Sequence, residues 1–145
     1  MDVNSPVGGR VVPLDDVPDP VFATAMVGPG VAVEPADALA RAPVGGVLRL
    51  AKPHAFIVEA SGRSVLVHLG VDTVSLKGAG FEVLVSQGGV VADGDAVVRW
   101  DPVRVAAAGL SPLVIVVALA RGVRLDVVAR VGAVVAPGDT LFRWY

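Results

Sequence analysis

The sequence predicts an all-β domain of antiparallel hairpins, a sandwich or barrel-like hybrid with at most short helices. Three observations carry that expectation. Valine supplies 33 of the 145 residues, against three Glu and two Lys, a bias toward β-branched side chains and away from helix formers. Glycine and proline add 17 and 11 residues, in clusters that recur every ~8–12 positions. The runs between clusters are short and apolar or alternating, which suits strands better than helices.

In chain order, the turn clusters are Gly8-Gly9, Pro18 to Pro20, Gly28-Pro29-Gly30, Gly45-Gly46, Gly62, Gly78 to Gly80, Gly88-Gly89, Gly94, Gly109, Gly122 and Pro137-Gly138. The runs they leave free are the expected strands: Val44 to Leu50, Ala55 to Glu59, Ser64 to Leu69, Phe81 to Val85, Ala96 to Trp100, Leu113 to Val117, Leu125 to Val131 and Leu141 to Trp144. One short helix is expected over Asp101 to Gly109, because Asp is a good N-cap and Pro suits the first helical position. Two internal echoes stand out. PVGGRVVPL from Pro6 resembles PVGGVLRLA from Pro43, and GGVVADGDAVVRW ending at Trp100 resembles GAVVAPGDTLFRW ending at Trp144. Gly94-Asp95 and Gly138-Asp139 supply the positive φ and the side-chain turn bond of a reversal. Either similar hairpins converge on one turn chemistry, or the chain is a pseudo-duplicated sandwich whose halves pair their strands. A single domain over residues 1–145 is expected from the length.

Composition excludes several function classes. The hydrophobic fraction of 54% against 18% charged residues argues against disorder. The absence of Cys removes disulfide scaffolds, Cys-rich zinc modules and thiol catalysis. A net charge of -2 and a pI of about 5.5 give no basic footprint for nucleic acid or an anionic membrane. The mean hydropathy of +0.69 raises the question of a membrane. The longest apolar run, Leu113 to Ala120, is far shorter than the ~20 residues a spanning helix needs. With no basic, apolar leader visible at the N-terminus, a cytoplasmic location is expected.

Chemistry narrows to the only two histidines, His54 and His68. His54 opens HAFIVE, His68 ends SVLVH, and Ser61-Gly62-Arg63 joins the two runs. A hairpin there makes the histidines cross-strand neighbours, about 5 Å apart at Cβ. Two strand-end histidines are often plain surface residues. Here, though, both imidazoles of a polar-poor chain fall at one hairpin mouth, with Asp72 on the bend that follows His68. Hydrolytic zinc spacings, a Walker loop and a nucleophile elbow are all missing from the sequence. Gly28-Pro29-Gly30 reads as a loop.

At these residues the chain resembles the glucose-type enzyme IIA of the bacterial sugar phosphotransferase system. The likeness runs from SPVGGRVVPLDDVPDPVFATAMVGPGVAVEP through APVGGVLRL, HAFIVE and VLVHLGVDTVSLKGAGFEVLVSQGGVVADGDAVVRWD to LSPLVIVV. VHLGVDTVSLKGAGF is close to the family's phosphorylation-site signature. The resemblance implies a β-sandwich phosphocarrier that takes a phosphoryl group from phospho-HPr and passes it to a cysteine on the IIB domain of a sugar permease. It implies that His68 carries the group and that His54 hydrogen-bonds it. It places Leu66, Gly70, Val71, Asp72, Val74 and Val31 at the docking surface. No cofactor is implied, although the two histidines are possible zinc ligands at an interface. Regulated transporters or kinases are possible further partners.

Two positions depart from the family's pattern. Lys52 stands where a Thr usually lies two residues before the second histidine, and its charge is expected to attract phosphoryl oxygens and lower the pKa of His68. Pro29 stands where an Asp is common, removing one docking carboxylate for basic HPr. A regulatory binding module of the same fold, with weak or no phosphotransfer, is the alternative these departures allow.

Overall fold

A computed structural model describes all 145 residues. Fourteen strands run in the order β1 (Asp2–Asn4), β2 (Gly9–Val12), β3 (Gly30–Pro35), β4 (Leu39–Arg41), β5 (Gly46–Ala51), β6 (Ala55–Ala60), β7 (Arg63–Leu69), β8 (Phe81–Val83), β9 (Val90–Val91), β10 (Ala96–Trp100), β11 (Val114–Ala118), β12 (Leu125–Val127), β13 (Val134–Val135) and β14 (Thr140–Trp144). Two short helices, α1 (Pro20–Ala23) and α2 (Pro102–Ala107), and two 3-10 turns, Leu14–Asp16 and Thr73–Leu76, complete the chain. The strands form an eight-stranded sheet in the order β13-β2-β3-β11-β7-β6-β5-β9 and two three-stranded sheets, β1-β14-β12 and β4-β10-β8. Neighbouring strands are antiparallel throughout, as in the expected all-β class.

The expected helix forms at Pro102–Ala107, with the Asp101 side chain accepting from the Arg104 N–H at 3.0 Å. The same device, unread in the sequence, starts α1: Asp19 accepts from the Val21 N–H at 3.0 Å and Pro20 takes the first position. The cluster Pro18 to Pro20 therefore opens a helix, where a plain turn was expected. Two expected strands end early. Phe81 to Val85 stops at Val83, and Leu125 to Val131 stops at Val127. In the second, the N–H groups of Val128 and Ala129 share the Leu141 carbonyl, so the ladder loses its register there. Six strands went unexpected: β1, β2, β3, β4, β9 and β13. Most are two to four residues long and lie among the Gly and Pro that read as turns.

The echoes are a structural repeat. Strand β2 pairs with β13, Arg10 opposite Val134, as β5 pairs with β9, Val47 opposite Val90. In the small sheets, Leu125, Asp126 and Val127 face Trp144, Arg143 and Phe142 as Phe81, Glu82 and Val83 face Trp100, Arg99 and Val98. Two reciprocal bonds join the halves, Asn4 N–H to Pro43 O and Arg41 N–H to Pro6 O, each 2.9 Å. The large sheet follows the same symmetry, β13-β2-β3-β11 mirroring β9-β5-β6-β7.

The middle strands β3, β11, β7 and β6 have two buried faces. Val65, Val67 and Leu69 of β7 point into the main core of 27 residues, with Phe56, Val58, Val114 and Val116. Leu66, between them, points the other way into a smaller cluster with Ala55, Ala32, Ile115, Val17 and Phe22. That second face is covered by the segment carrying the first 3-10 turn and α1. Burying both faces explains why β11 reads as a continuous apolar run.

Candidate functional site

His68 lies on β7 opposite Ala55 of β6 and Ile115 of β11. Directly opposed residues of an antiparallel pair share a face, so its ring stands on the face of the smaller cluster. The chain then turns sharply through Gly70, whose φ is +79°. A Cβ there would lie 2.5 Å from the Thr73 methyl and 2.9 Å from the Ser111 carbonyl, so only glycine fits. The turn is tied down by Gly70 N–H to Leu113 O, Val71 N–H to Ser111 O (both 2.9 Å) and the Thr73 hydroxyl to Leu69 O (2.6 Å).

This turn aims the Gly70 carbonyl at the histidine. His68 Nδ1 lies 2.6 Å from Gly70 O. A carbonyl can only accept, so Nδ1 carries the proton and Nε2 keeps its lone pair. The backbone thereby selects the tautomer whose Nε2 is a nucleophile.

His54 reaches the site from outside the ladder. It lies in the three-residue connection between β5 and β6, closed by Lys52 N–H to Ala55 O at 2.9 Å. Its carbonyl accepts from the Leu69 N–H at 2.7 Å. The two histidines are therefore not directly opposed, as the hairpin reading had them: Ala55 faces His68, and His54 is one residue further along. They meet because the turn releases His54 from the pleat. Their ring centroids are 5.4 Å apart at an interplanar angle of 69°. On another side, Phe22 of α1 packs against His68 with centroids 5.1 Å apart.

Both imidazoles are held below the usual histidine pKa. For His68 the main cause is burial, opposed by the bond to Gly70 and the carboxylates of Asp19 and Asp72, and reinforced by His54. For His54 it is burial and then the Lys52 charge. The lysine therefore acts on His54, a correction to the expectation that it would lower the pKa of His68. At neutral pH both rings are neutral.

The expected docking residues divide by burial. Asp72 and Val74 are exposed, Val74 at 62%. Leu66 and Val71 are buried in the smaller cluster, beneath the site. Gly70 is buried too and acts through its carbonyl. Val31 is a correction: opposite Val116 on β3, it points into the main core on the far face of the sheet from His68. Pro29 is half-buried, its carbonyl accepting from the Ala118 N–H at 2.9 Å.

Sequence reasoning missed Phe22, Asp19 and the exposed apolar Val21 and Met26 of the same segment. The Asp-Pro pair that was read at 101-102 recurs at 19-20 and was the available signal. Nowhere do three or more metal-ligating side chains converge. Neither histidine lines any of the three surface depressions, and both are half-buried, so the site opens onto the surface as a face. No helix is long and apolar enough to cross a membrane.

Residues 1–124 match the family described as phosphoenolpyruvate-dependent sugar phosphotransferase system, EIIA 1. The PTS system glucose-specific EIIA component of Oceanobacillus iheyensis is 41% identical over 119 residues, 78% of this chain and 72% of that protein. The glucose-specific EIICBA component of Streptococcus pneumoniae is 47% identical over 119 residues, 80% of this chain but 16% of that much longer protein. Among solved structures, glucose permease IIA from Mycoplasma capricolum superposes with a TM-score of 0.91 at 36% identity, covering 98% of this chain and 94% of that one.

Proposed function

From the premise that the chain belongs to the EIIA 1 family of the phosphoenolpyruvate-dependent sugar phosphotransferase system, we propose that its phosphocarrier work is done at Nε2 of His68. The protein is a phosphotransferase component of sugar uptake. Its donor is phospho-HPr, its acceptor a cysteine on the IIB domain of a sugar permease, and it acts in the cytoplasm as a single domain over residues 1–145.

The observation that carries the reading is the 2.6 Å contact between His68 Nδ1 and Gly70 O. It fixes which nitrogen is the nucleophile before the donor arrives. The Nε2 lone pair attacks phosphorus as the donor's P–N bond breaks, and that electron pair returns to the donor imidazole. The proton stays on Nδ1, hydrogen-bonded to the Gly70 carbonyl, so no proton leaves His68 during the displacement. Such transfer rests on in-line positioning and on neutralising charge at the equatorial oxygens. His54, ring to ring with His68, donates a hydrogen bond to one of those oxygens.

An open face suits the task, because both exchange partners are proteins that must bring their own reacting atoms to Nε2. Val21, next to Phe22 in the chain, and Val74, just beyond the Gly70 turn, present exposed apolar surface, with Asp72 exposed two residues before Val74, a composition fit for transient docking. No cofactor is needed. His54 and His68 can also give two ligands to a zinc ion completed by a partner's carboxylate.

Incubation with enzyme I, HPr and phosphoenolpyruvate, followed by intact mass, tests the assignment. The wild-type chain should gain one phosphate and His68→Ala none. A gain that survives His68→Ala sinks it.

A further inference from the structure

Lys52 is the last residue before the turn that holds His54, and the strand register gives it a specific place. The Lys52 N–H bonds Ala55 O, continuing the β5–β6 pairing of Ala51 with Phe56. Ala55 in turn faces His68. Lys52, Ala55 and His68 therefore form one row across three adjacent strands. Opposed residues share a face, so all three side chains rise on the face of the smaller cluster, where Ala55 is buried.

With strands about 4.8 Å apart, the backbones of Lys52 and His68 are roughly 10 Å apart. Only a methyl group stands between them. The flexible four-carbon stem of a lysine on one side and a phosphorylated imidazole on the other close that gap. The Lys52 side chain is exposed and takes part in none of the three ion pairs, which join Arg49 to Glu59, Arg99 to Glu82 and Arg143 to Asp2. Its charge already reaches His54. The other charged groups facing His68 are the carboxylates of Asp19 and Asp72, which repel a phosphoryl dianion and leave Lys52 as the cation at its edge.

We propose that Lys52 is a further catalytic residue, an ammonium that closes onto the phosphoryl oxygens across Ala55 when the group sits on His68. The inference rests on the assignment of His68 as the carrier. Charge-assisted contacts of this kind strengthen as the site is shielded by a docked partner. They favour the phosphorylated chain in the equilibrium with the donor as well as the transfer rate.

The experiment compares wild type, Lys52→Met and Lys52→Arg with phospho-HPr as donor, at low and high salt. It reads the transfer equilibrium constant by intact mass and the dependence of rate on donor concentration. Lys52 touches the fold through its backbone N–H, which both variants keep. Lys52→Met should move the equilibrium toward the donor by about tenfold and lower the limiting rate, with little change in KM. Lys52→Arg should restore most of the loss, and high salt should shrink the difference. An equilibrium constant unchanged in Lys52→Met, or a loss confined to KM, overturns the proposal while the carrier assignment stands. Failure of the wild-type chain to gain phosphate on His68 overturns both.

Discussion

Residues 81–100 and 125–144 build the same unit twice, whereas the histidine site exists once. In the repeated units, Asp95 and Asp139 each accept from a backbone N–H three residues back, Ala92 and Ala136, at 2.8 Å. Gly94 and Gly138 turn with φ of +87° and +92°. Differences between the copies lie at the tryptophans. Phe81 stacks on Trp100 with centroids 5.9 Å apart, while the Arg63 guanidinium lies 5.6 Å over the Trp144 ring. The middle strands β3, β11, β7 and β6 take matching places in the two halves of the large sheet. They alone bury both faces, and only there can a functional side chain be held on one face while the other anchors the core. The comparison teaches that the duplicated frame supplies closure and stability, and the doubly buried middle strands supply the chemistry.

That division can be broken at its sharpest point, between Phe56 and its neighbour Ala55. Phe56 faces the main core and Ala55 the site. Phe56→Ala should cost about 3–5 kcal/mol of unfolding free energy, read by denaturant titration, while the folded fraction still accepts phosphate at the wild-type rate. A slowed rate in fully folded protein would mean the two faces are coupled.

A smaller effect tests the duplication itself. Asp95→Ala and Asp139→Ala each remove one turn bond of equal length and should each cost about 1 kcal/mol. The two losses should match within ~0.5 kcal/mol and add in the double variant, because the sites are independent. Unequal costs would show that the copies carry unequal strain.

Acidification should separate frame from site most gently. The folded pKa values of His54 and His68 lie below the ordinary histidine value of 6.5. Well above pH 6.5 neither ring binds a proton in the folded or the unfolded chain, and stability is at its full value. Below 6.5 the unfolded chain takes up protons first, so stability falls until the folded pKa values are passed. Phosphate acceptance should follow neutral His68, holding its plateau below pH 6.5 and declining only at more acid pH. A rate that halves at or above 6.5 would contradict the burial of the ring.

Much of this was legible in the residues. Turn chemistry located eight of the strands, since Gly and Pro act locally and a strand between two turns needs only a short apolar run. The Asp101-Pro102 pair announced a helix for the same local reason. The six missed strands lie in Gly- and Pro-rich stretches where pairing with a distant partner outweighs weak local preference. His54 and His68 could be brought together because one hairpin joins them. Phe22 could not, because α1 reaches His68 only after β2 and β3 have paired with the rest of the sheet.

The sequence by itself determined the all-β class, the two histidines as the sole imidazoles and the hairpin that gathers them, all of which depend on residues close in the chain. Tertiary structure alone decided which face each side chain takes. Val31 went to the core and His68 to the site, Gly70 set the tautomer, and Lys52 came into the row with His68. The physical reason is that a one-residue change of register reverses every face of a strand, and register is settled by partners far away in sequence.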